Sequence, residues 1–246
     1  MPRKFSLALA ALAILPIVAV AAEEESHLEH MDVYLDNEAS LQRGAKYFVN
    51  YCSGCHSAQY IRYNRLAQDL DLSINQVEKN LIFTDQKVGE SMISAMPSKE
   101  AAKWFGTAPP DLSLVARSRG VDWLYNYLKT FYLDDTRLFG VNNLVYPDTA
   151  MPHVLGQLQG WQKPVYKKSE SDSEEPVIDH LKLVKPGILK PEEYDRMVRD
   201  LVNFLAYIGE PTQLTRTRVG TWVMLYLIIL LVLSYLLKKE YWKDVH

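Results

Sequence analysis

The residues Cys52-Ser53-Gly54-Cys55-His56 carry the most distinctive chemistry in the chain, and they include both of its cysteines. Two thiols three positions apart stand about one helical turn from each other. At that separation they can add across the two vinyl groups of a haem, and the histidine that follows brings an imidazole to the iron. Gly54 leaves room for the flat macrocycle against the backbone. Three other uses of the spacing compete. A dithiol oxidoreductase usually carries Cys-x-x-Cys on a βαβ scaffold, and no such pattern surrounds this one. A zinc site needs four protein ligands, and beyond Cys52 and Cys55 only histidines remain to complete it. A plain disulfide suits an oxidising compartment. Covalent haem consumes both cysteines, leaves no stray thiol and is the preferred reading.

A neutral thioether opposite the histidine would raise the reduction potential of such an iron. The candidates downstream are Met92, Met96, Met151 and Met197, with His153 and His180 beside them. Met197 falls on the apolar face of a strong helical pattern and Met92 in an amphipathic piece, both places where methionine fills a core. Met96 precedes Pro97 at the start of a helix and is a weak rival. Met151, in Ala150-Met151-Pro152-His153, lies in a Gly/Pro-rich loop far from His56 in sequence, and such a loop can carry a ligand across the opposite haem face. Position alone favours Met151 without closing the choice.

The elements that must position these groups lie between two special ends. Arg3 and Lys4 precede an apolar stretch from Phe5 to Val18, then Ala19-Val20-Ala21 and three glutamates, which is the layout of a secretory leader over residues 1–22. Haem attachment of this kind occurs outside the cytoplasm, so the leader supports the motif reading. At the other end, residues 219–237 are uncharged and would form a helix of about 28 Å, close to the thickness of a bilayer core. Arg216, Arg218, Lys238 and Lys239 flank it, with Trp222, Tyr235, Tyr241 and Trp242 at aromatic-belt positions. The expected organisation is leader 1–22, exported haem domain 23–215, membrane anchor 216–237 and cytoplasmic tail 238–246. Of the 246 residues 48% are hydrophobic and 23% charged, enough for a packed core, and the net charge is −3. No nucleic-acid partner is expected.

Within the exported part, periodicity predicts helices over 38–51, 75–82, 90–96, 98–105, 112–119 and 122–131. Pro191 opens a further helix, with Glu192 and Glu193 suited to its N-terminal dipole, that Gly209 and Pro211 end. Residues 133–160 and the Ser/Glu-dense stretch 167–179 read as loops, and no alternating strands stand out. Gly44 inside the first helix costs about 1 kcal/mol against Ala and points to close approach by another element. The acidic stretches 23–36 and 170–179 either steer a basic partner or are merely solvated.

The segments CSGCH, WFGTAPPDLSLVARSRG at 104–120, AMPHVLGQLQG at 150–160 and YDRMVRDLVNFLAYIGEP at 194–211, followed by one C-terminal span, resemble in this order the cytochrome c1 family. That family is the haem-c subunit of the ubiquinol–cytochrome c reductase, the cytochrome bc1 complex, and the likeness is to its bacterial type. It implies a mainly α, class I cytochrome c fold with long loop insertions plus one C-terminal transmembrane helix. The helix ending at Tyr51 would cross the one starting near Pro191, with Gly44 at or near the contact. The resemblance makes His56 and Met151 the axial ligands and pairs Arg119 with a haem propionate. It also has a carbonyl of the Pro109-Pro110 loop, with Pro110 as the named candidate, accept the other ring N–H of His56.

The implied role is to pass single electrons from the Rieske iron–sulfur subunit to a cytochrome c. Cytochrome b and the Rieske subunit would be fixed partners, and a soluble or membrane-tethered cytochrome c the acceptor. The chain would be an electron carrier without catalytic residues of its own, single-pass in a bacterial inner membrane with its haem domain in the periplasm. Gly156, where an aromatic residue is frequent in bacterial relatives, and the Ser/Glu loop depart from the pattern. The rivals are a free-standing anchored cytochrome c that feeds a terminal oxidase and an anchored thiol–disulfide oxidoreductase.

Overall fold

The computed structural model describes residues 28–167 and 177–243. The expected leader, residues 23–27 of the first acidic stretch, residues 168–176 of the Ser/Glu loop and the last three residues of the tail lie outside the described residues. In chain order the elements are α1 (Glu38–Tyr51), β1 (Ala58–Arg62), α2 (Tyr63–Asp69), α3 (Ile74–Asn80), β2 (Ser91–Met92), α4 (Ser98–Phe105), α5 (Val115–Ser118) and α6 (Val121–Lys129). They continue with β3 (Phe131–Leu133), β4 (Val141–Asn143), α7 (Gly156–Gln159), β5 (Gly160–Tyr166), β6 (Ile178–Pro186), α8 (Pro191–Gly209) and α9 (Gln213–Tyr241). The fold is mainly helical.

The frame of the domain is the crossing of α1 and α8. Asn37 starts α1 by accepting the N–H of Ser40 on its side chain at 3.1 Å. Leu41, Ala45, Phe48 and Val49 then recur at helical spacing and are all buried. Pro191 sits in the first turn of α8, where a missing N–H costs nothing, and the Glu193 carboxylate accepts the Lys190 N–H at 2.9 Å. Val198, Leu201, Phe204 and Leu205 form its inner face, and the rings of Phe48 and Phe204 lie 5.5 Å apart. At the crossing stands Gly44. A Cβ there would run into the Asp200 carbonyl oxygen and approach Phe204 Cβ to 2.6 Å, so the helices meet backbone to backbone.

One polar cluster is buried beside this contact. Asp200 accepts bonds from Ser40 Oγ (2.6 Å), Arg43 Nε (2.6 Å) and Arg43 Nη2 (2.9 Å). Asn203 donates to Ser40 Oγ at 3.0 Å and accepts the Tyr34 N–H at 3.2 Å, which ties the segment before α1 to α8. The charge is satisfied, as a buried carboxylate must be. α6 packs on the same helix, with Tyr194 Oη donating to the Leu128 carbonyl at 2.7 Å.

Several expectations are corrected. Strands are present among the described residues, in three two-stranded antiparallel ladders: β1 with β2, β3 with β4, and β5 with β6. They left no alternation to read, because β3 and β4 are three residues each and β6 is exposed along most of its length. The helix expected over 90–96 is β2 and an irregular stretch, since Ser91 and Met92 pair with β1 instead. Over 112–119 only Val115–Ser118 is helical, because the Leu112 N–H is committed to the Ser57 carbonyl at 2.8 Å. α2 carries no forewarning in the periodicity argument, and α7 lies where a loop was expected. The terminal helix is longer than expected, 29 residues or about 43 Å. Its segment Thr215–Tyr241 is long and apolar enough to cross a membrane, and none of it is buried against the domain.

Candidate functional site

α1 delivers the first cysteine. The Cys52 N–H closes the last helical bond to the Phe48 carbonyl at 2.8 Å, and the N–H groups of Cys55 and His56 both donate to the Cys52 carbonyl, at 3.0 and 2.9 Å. One tight turn therefore gathers two thiols and an imidazole. Cys52 is buried, Cys55 half-buried, and both are free thiols.

His56 is oriented from outside that turn. Its Nδ1 lies 2.7 Å from the Pro110 carbonyl oxygen, so Nδ1–H donates and Nε2 is the one ring nitrogen left for a metal. Burial pushes the imidazole pKa down, against the opposing pull of the Pro110 carbonyl and Asp111, and so favours the neutral form that ligates. The Pro-Pro loop is itself stitched to the strand that follows His56. Asp111 accepts the N–H groups of Gln59 (3.0 Å) and Ser113 (2.8 Å), and Ser113 Oγ accepts the Tyr60 N–H at 3.1 Å. These two polar side chains were not foreseen as site residues. An Asp and a Ser two positions apart after a proline pair were the available signal.

α5 and α6, joined at Gly120, whose φ of +89° favours glycine, carry the aromatic wall on which Arg119 and Met151 lie. The Arg119 guanidinium is exposed and lies 5.2 Å from the Trp123 ring centre and 5.8 Å from that of Tyr146, held between aromatic faces. Trp123 stacks on Tyr127 at 4.9 Å with planes 8° apart. Met151 is half-buried against this wall, with its Sδ 3.4 Å from Tyr127 Oη.

The other candidate ligands are spread over the core, the cysteine side and the surface. Met92 and Met197 are 2% exposed and belong to the core. Met96 sits on the cysteine side: Ser94 Oγ donates to the Gly54 carbonyl at 2.9 Å and the Ser94 N–H to Ser57 Oγ at 2.9 Å, which pins this stretch to the Cys-x-x-Cys-His turn. With Cys55, Pro109 and Asp111, Met96 lines a cleft of about 170 Å³ there. His153 is stacked on Phe131 at 4.8 Å and edge-on to Trp161 at 5.7 Å, and burial pushes its pKa down to about 4. His180 is exposed on β6 beside Asp179.

The donor set fits a covalent haem better than dithiol exchange. As a free thiol, Cys52 has its pKa pushed up to about 12 by burial, with Cys55 adding to it. It also sits at the C-terminal end of a helix, where the dipole opposes a thiolate, whereas reactive thiols occupy N-termini. An imidazole with Nδ1 committed to a carbonyl is the arrangement a metal-ligating histidine uses.

The model of the Cytochrome C1 family matches residues 27–245. The cytochrome c1 of Allochromatium vinosum is 55% identical over 235 residues, 96% of each chain. A protein of Nitrosomonas europaea named ammonia monooxygenase gamma subunit is 46% identical over 99% of this chain and 100% of its own. A chain of a solved structure titled "Hyperthermophilic respiratory Complex III" covers 91% of this chain and 89% of itself, at 18% identity and a TM-score of 0.42, too loose a likeness to carry an argument.

Proposed function

This chain belongs to the cytochrome c1 family, and on that premise we propose that Cys52 and Cys55 hold a haem through thioether bonds, that His56 Nε2 and Met151 Sδ ligate its iron, and that Arg119 pairs with a propionate. The family's role is electron transfer within the cytochrome bc1 complex, with a covalently bound haem c and with cytochrome b and Rieske iron–sulfur subunits as partners. The chain is a membrane-associated subunit of that complex.

Haem supplies a one-electron iron couple. The protein's residues bind and tune it. The α1 crossing sets the position of Cys52, the Pro110 carbonyl fixes the imidazole plane of His56, and the Trp123 and Tyr146 faces aim the Arg119 fork. The observation that carries the reading is the bond from His56 Nδ1 to Pro110 at 2.7 Å, because it leaves a single neutral nitrogen beside two unpaired thiols. The acceptor in this reading is a soluble or membrane-tethered cytochrome c. Residues 1–22 are a leader, 23–215 a periplasmic haem domain, 216–237 the span and 238–246 a cytoplasmic tail.

Two measurements test this. A haem stain of a denaturing gel should find pigment on the chain, whereas pigment at the dye front would defeat thioether attachment. Detergent extraction should bring down a cytochrome b. Extraction alone would favour a free-standing anchored cytochrome c. Extraction with monooxygenase subunits would favour the assembly that the Nitrosomonas relative's name describes.

A further inference from the structure

Met151 lies on a stretch that its own backbone does not tie down. Among the described residues, no backbone hydrogen bond of residues 150–155 reaches outside 149–159. The Met151 N–H meets Thr149 Oγ1 at 3.4 Å, the Val154 N–H the Pro152 carbonyl at 2.8 Å, and the His153 carbonyl accepts the Gly156 N–H at 3.1 Å. The stretch is held by side chains, and two residues beyond Met151 the His153 ring is wedged between two other elements. Its imidazole lies flat on Phe131 of β3, 4.8 Å away with planes 5° apart, and meets Trp161 of β5 edge-on at 5.7 Å. Gly156 closes the slot: a Cβ there would stand 3.0 Å from His153 Cδ2 and 3.1 Å from Trp161 Cη2, so the imidazole fills the space that a side chain at 156 would need. The walls are fixed without the loop, since Gln162 of β5 donates to the Lys129 and Phe131 carbonyls at 2.9 and 3.1 Å. His153 Nε2 is buried and has no hydrogen-bond partner among the described residues, so the fit rests on ring faces and edges.

We propose that His153 is a positioning residue that clamps the Met151 loop: lodged in the slot of Phe131, Trp161 and Gly156, its ring holds the thioether at the iron and keeps external ligands out. This rests on the proposed ligation by Met151. Two residues of chain reach about 7 Å at most, and Pro152 between them has a fixed φ, so a seated ring leaves Met151 little travel. For an external ligand to bind the iron the thioether must leave, so the apparent affinity of that ligand scales with the fraction of open loop. One aromatic contact of this kind is worth about two- to tenfold in such an equilibrium, and His153 makes two.

The test is the binding of external imidazole to the detergent-extracted, haem-loaded ferric protein, read with the ferric thioether charge-transfer band. His153→Ala, which leaves the buried Leu155 in place, should bind imidazole about five- to fiftyfold more tightly than wild type, with a weaker band. His153→Phe restores the ring faces without the nitrogens and should return the affinity to within about twofold of wild type. A His153→Ala protein with wild-type affinity and an intact band would overturn the proposal, as would a His153→Phe protein as open as His153→Ala. Should His153→Ala not fold, His153→Leu fills the slot without a flat face. It should still bind imidazole more tightly than wild type, and an unchanged affinity there would equally overturn the clamp. The ligation beneath it has a separate check. Met151→Leu should abolish the band, and a Met151→Leu protein that kept the band would remove the premise, whatever the His153 variants did.

Discussion

Replacing Gly44 by alanine sets two known effects against each other at one atom. In a solvent-facing helix the change should stabilise by about 1 kcal/mol, because glycine loses more backbone freedom on folding. At this crossing the new methyl would overlap the Asp200 carbonyl oxygen and stand 2.6 Å from Phe204 Cβ, where ordinary contact begins at 3.4 Å. Neither atom is the free end of a side chain, so relief requires α1 and α8 to part by about 1 Å along a well-packed face. Overpacking of this kind costs roughly 1–3 kcal/mol, and with backbone as the obstacle the upper end applies. The balance is a net loss of about 1–2 kcal/mol. For a domain of this size that corresponds to a Tm lower by roughly 3–6 °C. Thermal unfolding of the detergent-extracted holoprotein, followed by circular dichroism, measures it. Gly89→Ala, where no atom lies within 4 Å of the new carbon, is the matched control and should stay within about 0.5 kcal/mol of wild type. A Gly44→Ala protein as stable as wild type would refute the backbone-to-backbone crossing.

Met96→Leu should leave the potential and the closed coordination unchanged while Met151→Leu lowers the one and opens the other; redox titration and carbon monoxide difference spectra decide between them. Asp195 offers a pH-dependent probe of the α6–α8 contact. Burial alone would raise its carboxyl pKa, but bonds from Lys129, Tyr125 and Arg199 outweigh that and hold it at about 2. A depressed carboxylate stabilises the fold above its unfolded pKa near 3.9, and that stability is lost as the pH falls through the folded value. Asp195→Asn should therefore cost about 2 kcal/mol at neutral pH in denaturant unfolding, with the gap to wild type closing between pH 4 and pH 2. A gap that persisted at pH 2 would mean the carboxylate charge is not what matters. Truncation after Thr215 should give a soluble, haem-bearing protein, assayed by its partition between supernatant and membrane pellet, since the segment Thr215–Tyr241 is not buried against the domain.

Whatever lies within one turn or along one helical face was legible in the order of the residues. Cys52, Cys55 and His56 are gathered by covalent spacing, so their chemistry is readable without any packing. The helices α1, α6 and α8 announce themselves through apolar residues at helical spacing, and the terminal helix through its uncharged run at 219–237. Gly44 could be marked as a close approach, although not what approached it. The remaining features depend on how distant segments pack. The tertiary structure placed Met92 and Met197 in the core, Met96 beside the cysteines, Met151 against Tyr127, His153 between aromatic rings and His180 on the exposed face of β6. It singled out Pro110 over Pro109 as the acceptor for His56. It brought Tyr127 to Met151 across 24 positions of chain and Asp111 to Gln59 across 52. It also paired strands too short or too exposed to alternate. The physical reason is the same throughout. A local pattern records which face of a segment is buried, while the identity of the group on the far side of that face is set by how distant segments pack.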